Sequence, residues 1–266
     1  LYQFTAALFS LIAIIFTGFN NFNLGLIVCS VVNAVLFAVS LFCAIEAIKG
    51  CSIAVANLFG LGGLIISVLV SYFWFGEEIK VHQLIGLGIF FVAAYLLSSK
   101  DGKFGKKLTV RTLLLLFTYF LSEGFVMVVQ KYFALKVEGA NTPLFSLVTF
   151  TFCGLFMLVC FLFTLRKKDD ELTLKPKEEV AETRQPLLTK RLIICGILLA
   201  LALFSINFIV TEMGKTVPSI VIFPVSSAIC ILVSTLVGYF VFKEKLSVKK
   251  IIGLIVGLAS IIIIGI

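Results

Sequence analysis

Long stretches without charge constrain this chain more than any other feature. Eight of them contain no Lys, Arg, Asp or Glu: residues 1–19, 24–45, 52–74, 83–99, 143–165, 192–211, 218–242 and 251–266. Most approach the length of about 20 apolar residues that crosses a bilayer core as a helix. A ninth apolar run, 108–135, carries Arg111, Glu123 and Lys131. Because unpaired backbone groups are costly in lipid, the pattern predicts nine membrane-spanning helices.

Composition excludes several classes of protein. The chain is 61% hydrophobic and 14% charged, whereas a soluble domain is about half apolar and a quarter charged. The net charge of +8 does not indicate a nucleic-acid partner, because the basic residues lie in connectors, as in membrane proteins. Seven cysteines without a CxxC pair and a single histidine, His82, predict no metal site and no cofactor.

One sequence segment, called the repeated phrase below, occurs twice in the chain. FGEEIKVHQLIGLG (75–88) returns as FKEKLSVKKIIGLI (242–255), and SIAVANL (52–58) aligns with SIVIFPV (219–225). This internal repeat predicts two structural halves, 1–99 and 108–266. The second contains five spans and the first only four, so we expect one further span before Leu1. An odd number of spans per repeat would insert the two halves in opposite directions.

Two five-helix repeats, each with a Glu-containing turn before a Gly-bearing last helix, resemble the drug/metabolite transporter superfamily. Within it, they are similar to EamA-like transporters. The resemblance implies an all-α polytopic membrane protein of two inverted repeats. It implies alternating-access export of small metabolites such as amino acids, or of drugs, across the cell membrane without ATP. The substrate cavity would lie between the repeats. The expected partners are a small-molecule substrate, the lipid bilayer and protons, and the protein would be a monomer or homodimer.

Charge predicts which connectors share a membrane face. Four connectors, 46–51, 99–111, 166–191 and 243–250, hold 18 of the 22 Lys and Arg residues. The positive-inside rule therefore predicts that they are cytoplasmic. The longest of them, 166–191, has mixed charge and two prolines, which favours a mobile loop.

Glu123 is the first candidate functional residue, because it is the only acidic residue well inside a span. Tyr119, Glu123 and Gln130 are spaced four and seven residues apart and share one helical face. Charge inside a membrane is costly and usually marks a transport pathway. The carboxyl could exchange a proton or pair with a cationic substrate. Alternatively, it reaches the interface or is satisfied by a neighbouring helix.

Three amides and a proline are further candidates. Asn33, Asn57 and Asn207 lie within spans, where an amide either lines a cavity or bonds across helices. Pro224, which aligns with Asn57, must free a backbone carbonyl in its span. The kink could expose backbone groups to a substrate, although proline also occurs in membrane helices without such a role.

The glutamates of the repeated phrase allow two readings. They could form a gate or proton site, but helix N-termini favour acidic residues, and capping of the following helix is the simpler interpretation. Glu46 with Lys49 and Glu212 with Lys215 have the spacing of surface i,i+3 pairs.

A passive channel, a structural membrane protein and a membrane enzyme remain the alternative functions. An enzyme would need a nucleophile and base, a metal set or a cofactor motif, and no such motif occurs in the sequence.

Overall fold

The computed structural model describes residues 2–18, 22–51, 53–98, 109–172, 190–240 and 248–265, and no strand occurs in these ranges. The helices are α1 (Tyr2–Thr17), α2 (Leu24–Gly50), α3 (Ile53–Trp74), α4 (Val81–Ser98), α5 (Val110–Lys136), α6 (Thr142–Leu172), α7 (Lys190–Met213), α8 (Ser219–Phe240) and α9 (Val248–Gly265). Within α2, α3, α5, α6 and α7 lie apolar segments long enough to cross a membrane, and the apolar segments described in the other four helices are shorter. The prediction of an all-α polytopic membrane protein is confirmed.

Two helices extend beyond the predicted spans. The helix α2 continues to Gly50, past the uncharged run that ends at residue 45. The helix α6 continues to Leu172, so residues 166–172 of the predicted mobile loop are helical. Residues 173–189 lie outside the described ranges.

The chain divides into two compact units, each of which takes helices from both predicted repeats. The first comprises Leu1–Ala38 and Glu138–Phe208, and the second comprises Val39–Val137 and Ile209–Ile266. In the first unit, a core of Ala6, Ala7, Phe150 and Ala200 joins α1, α6 and α7. In the second unit, a larger core joins α3, α4, α7 and α8 and includes Leu64, Phe90, Val210, Ile220 and Phe223.

Glycines permit close helix packing in the second unit. A methyl group added at Gly63 of α3 would lie 2.7 Å from the backbone nitrogen of Gly124 on α5. A methyl group at Gly86 of α4 would lie 2.6 Å from the Ile264 side chain on α9. Lipid offers little hydrophobic drive for helix association, so such backbone-level contacts are a main source of stability.

The helix α5 has partners at both ends. Near its start, the Thr112 side chain fills the space beside Gly50 of α2. Near its end, Lys131 pairs with Glu77 of the α3–α4 connector. Lys131 is 19 positions after Thr112, a length of about 28 Å along a helix, which matches a hydrocarbon core of about 30 Å. Both contacts therefore lie near the two ends of a membrane-spanning segment.

Candidate functional site

Glu123 lies in the middle of α5 and accepts a hydrogen bond from α2. The Ser40 hydroxyl donates to Glu123 Oε2 at 2.5 Å, and Ser40 is 2% exposed. The glutamate itself keeps some accessible surface. Across the described residues, the carboxylate takes part in no ion pair. An acidic group inside a span with a hydroxyl donor but no cation is costly to ionise.

The face of α5 around Glu123 packs closely on α3. Tyr119, one turn before Glu123, fills the space that a side chain at Gly60 would need. Gly124, directly after Glu123, meets Gly63 at backbone distance. These contacts fix the position of α5 at the level of its carboxyl group. The structure therefore brings Tyr119 and Glu123 together, as the four-residue spacing predicted.

The other candidates of the second unit lie elsewhere. Gln130 is buried further along α5. Asn57 is exposed on α3, so its amide lines no buried polar cluster in this structure. Pro224 lies inside α8 and is buried. Its ring nitrogen cannot donate to the carbonyl of Ile220, four residues earlier, as a helix would require.

In the first unit, Asn207 and Asn33 differ in their bonding. Asn207 of α7 accepts a hydrogen bond at Oδ1 from the Ser146 hydroxyl of α6, at 3.1 Å. Asn33 of α2 is 0% exposed, and neither its amide nitrogen nor its amide oxygen has a hydrogen-bond partner among the described residues. Gln3 of α1 is also buried, and its amide interacts with the neighbouring Tyr2 phenol. An unpaired buried amide costs about 1–3 kcal/mol.

The helix α2 runs parallel to α6 in the first unit. Near the start of both helices, the Asn23 amide donates to the Glu138 carbonyl at 3.2 Å. One to two turns further along, the Thr149 hydroxyl donates to the Ser30 carbonyl at 3.3 Å. Residue numbers thus increase together on the two helices. Asn33, three residues beyond Ser30, lies at about the level of residue 152 on α6.

The helix α1 runs antiparallel to α6. The Asn141 amide donates to the Gly18 carbonyl at 3.1 Å, which joins the end of α1 to the start of α6. At the other end, a methyl group on Gly154 would lie 3.1 Å from the Phe4 ring. Gln3 therefore lies at about the level of residue 155. The Asn33 and Gln3 amides are therefore within about one helical turn of each other in depth.

Sequence reasoning missed the polar cluster at the end of α5. Lys131 is 3% exposed, and its Nζ lies 2.7 Å from Glu77 Oε1 and 2.7 Å from the Val217 carbonyl. Glu77 Oε2 accepts the backbone N–H of Ser219 at 2.7 Å. The Ser71 hydroxyl donates to the Ser219 hydroxyl at 2.7 Å. Two sequence signals pointed to members of this cluster separately, the charge of Lys131 within an apolar run and Glu77 in the repeated phrase, but neither predicted that they pair.

Glu77 does cap a helix, but it is not the following helix. The carboxylate caps α8, which lies far along the chain, because the α3–α4 connector passes the start of α8. In α4, the backbone N–H of Lys80 is instead bonded by the Gln83 side chain at 3.1 Å. The repeat partner of Glu77, Glu244, lies outside the described residues. The predicted surface pairs are confirmed: Lys49 pairs with Glu46, and Lys215 pairs with Glu212 at 2.7 Å.

Three comparisons relate this chain to known proteins. A solved structure titled "Crystal structure of protein" has a TM-score of 0.73 at 16% identity, with 100% of this chain and 86% of that chain covered. This likeness shows a shared fold. No curated protein matches the chain significantly. The family model for the EamA-like transporter family matches residues 110–266, more than half of the chain. The chain is therefore a multi-pass membrane protein that belongs to the EamA-like transporter family.

Proposed function

We propose that this protein is a secondary active transporter that moves small polar metabolites by alternating access and couples this movement to protons at Glu123. The observation that carries the proposal is the Glu123 carboxyl, which has one hydroxyl donor and no cation among the described residues. The neutral form of such a group is favoured in a low-dielectric environment. It can ionise when the site is opened to water or when a cation arrives.

Glu123 has the surroundings that proton exchange requires. Glu123 is only partly buried, so the residue keeps some accessible surface. The Ser40 hydroxyl donates to the ionised carboxylate and can accept from the protonated acid, so it serves both states. Tyr119 lies one turn away on the same face of α5. The same carboxylate could bind a cationic substrate directly, and the experiment below separates these two roles.

The amides of the first unit favour an uncharged polar substrate group. The described buried polar residues there are neutral: Gln3, Ser10, Ser30, Asn33, Thr142, Ser146, Thr149 and Asn207. The Asn33 amide offers an unpaired donor and an unpaired acceptor among the described residues, and the Gln3 amide lies at a similar depth. A ligand with amide, hydroxyl or nucleobase groups would satisfy both kinds of atom. We also propose that the substrate contacts four further residues, which the observed geometry supports less directly: Asn207, Asn57, Gln130 and Pro224.

The test uses full-length protein in liposomes with an imposed pH gradient and a pH dye inside. The probes are glutamine, serine, uracil and tetraphenylphosphonium, each added separately. We expect proton movement that depends on one of the neutral polar probes and is lost in Glu123→Gln. The matched control is Glu138→Gln, which changes an exposed glutamate and should leave the signal unchanged.

Other results of this liposome assay would indicate a different role for Glu123 or a different function for the protein. Flux of a probe without proton movement, unchanged in Glu123→Gln, would keep transport and remove the coupling role. Flux of tetraphenylphosphonium alone, lost in Glu123→Gln, would make the carboxylate a cation-binding group. Flux that never saturates with probe concentration would favour a channel, and chemical conversion of a probe would indicate an enzyme.

In a cell, we propose that the protein resides in the cell membrane and exports its substrate.

A further inference from the structure

The α3–α4 connector holds the start of α8 through a carboxylate. Glu77 Oε2 accepts the Ser219 backbone N–H at 2.7 Å, and Glu77 Oε1 lies 3.4 Å from the Ser219 hydroxyl. The Ser71 hydroxyl at the end of α3 donates to the same serine. The carboxylate thus meets the positive end of a helix and one of its unsatisfied N–H groups, an arrangement that is favourable to a negative charge.

Lys131 completes this cluster from α5. Its ammonium group bonds both Glu77 and the carbonyl of Val217, two residues before Ser219. The lysine side chain is 3% exposed and the glutamate side chain 13% exposed, so water screens the pair weakly. If either partner is removed, the other is left as a buried charge. We call Glu77, Lys131, Ser71 and Ser219 the Glu77 latch.

The latch joins segments that belong to different predicted repeats. Glu77 and Ser71 come from residues 1–99, whereas Lys131 and Ser219 come from residues 108–266. In a transporter built from two repeats, rearrangement of one repeat against the other opens the site to each side in turn. Polar contacts between the repeats near one end of the spans therefore oppose opening at that end.

We propose that the Glu77 latch is a gate: it holds this end of the second unit closed, and it must separate during each transport cycle. The inference rests on the proposed transporter function. The closed state is stabilised by a few directional bonds, and opening requires Glu77 and Ser71 to separate from Ser219. Water that enters would solvate both released charges, so opening toward an aqueous face avoids the full cost of two buried ions.

The first experiment measures opening without any substrate. All seven native cysteines are replaced in the full-length chain, and Met127→Cys is introduced as a reporter. Met127 lies on α5 one turn before Lys131 and packs against the core of the second unit. The protein is placed in lipid nanodiscs, where both faces are reachable, and reacted with a charged maleimide. Glu77→Gln should label about tenfold faster than the parent. Loss of a hydrogen bond to a charged group is expected to raise the equilibrium constant for opening by about this factor.

Glu78→Gln is the matched control, because it removes the same charge from the neighbouring, exposed residue. Its labelling rate should equal that of the parent. Equal rates for Glu77→Gln and Glu78→Gln would overturn the proposal. Ser71→Ala is a milder variant in case Glu77→Gln does not fold, since it deletes only one hydroxyl bond. It should label about two to five times faster, and an unchanged rate would also count against the gate.

The second experiment locks the latch. Ser71→Cys and Ser219→Cys are combined, because the two hydroxyl oxygens lie 2.7 Å apart, and loss of both free thiols on oxidation verifies that the disulfide has formed. Oxidation should stop the flux of whichever probe the liposome assay identifies, and a reductant should restore it. Persistent flux in the oxidised protein would show that the latch need not open. If no probe is transported but Glu77→Gln still labels faster than the parent, the proposed transport function is wrong. The role of the Glu77 latch in opening is then retained.

Discussion

The Ser40 hydroxyl of α2 donates to the Glu123 carboxylate of α5 at 2.5 Å, and in the described part of the chain this acid has no basic partner. A single neutral donor stabilises the carboxylate without fixing it permanently in the ionised state. A buried ion pair would instead hold the charge through the whole cycle. The pairing with serine is therefore suited to a group that gains and loses a proton.

Removal of the Ser40 hydroxyl should impair coupling more than folding. Ser40→Ala deprives the ionised carboxylate of its donor, a loss of about 1.5–3 kcal/mol for a bond to a charged group. We expect substrate-driven proton movement in liposomes to fall about tenfold or more, while the thermal unfolding midpoint falls only by the few degrees that loss of one such bond implies. Ser40→Thr keeps a hydroxyl and should retain most of the signal. Equal losses in both variants would point to packing rather than to the hydrogen bond.

The contact between α3 and α5 should tolerate no side chain at Gly63. The added methyl group of Gly63→Ala would lie 2.7 Å from the Gly124 nitrogen, and overpacking of this kind costs about 1–3 kcal/mol. Gly88→Ala is the matched control, because a methyl group there meets nothing within 4 Å. Thermal unfolding in detergent should show a lower midpoint for Gly63→Ala and an equal or higher one for Gly88→Ala. The opposite order would contradict the close packing.

Loss of Lys131 should be far more damaging than loss of Lys215. Lys131→Met leaves Glu77 buried without its cation, and breaking such a pair costs about 3–5 kcal/mol. Lys215→Met breaks an exposed pair, in which the side chains are 32% and 45% exposed, and such pairs contribute about 0–1 kcal/mol. Thermal unfolding of both variants measures the difference. Glu77→Gln combined with Lys131→Met should recover part of the loss, because neither charge then remains unpaired.

The features that could be predicted from the sequence are those that depend on the length of hydrophobic runs and on local residue spacing. Uncharged runs located the helices, and i,i+3 spacing predicted the pairs of Glu46 with Lys49 and Glu212 with Lys215. Spacing of four also placed Tyr119 and Glu123 on one face. The partner of Glu77 could not be predicted, because Ser219 is distant in sequence and only the packing of the helices brings it near. The role of Asn57 stays a prediction: the residue is exposed on α3, and helix packing, which local spacing does not determine, decides what it faces.

Asn33 and Asn207 should respond oppositely to the same substitution. Asn33→Leu removes an amide that has no hydrogen-bond partner, whereas Asn207→Leu leaves the Ser146 hydroxyl without its acceptor. An unsatisfied buried polar group costs about 1–3 kcal/mol, so Asn33→Leu should raise the thermal unfolding midpoint and Asn207→Leu should lower it. If Asn33 binds the substrate, Asn33→Leu should also abolish flux of the neutral polar probe, because a residue retained for function can reduce stability. A stabilised Asn33→Leu protein with full flux would remove Asn33 from the binding site, and a destabilised one would mean that its amide is satisfied in the membrane.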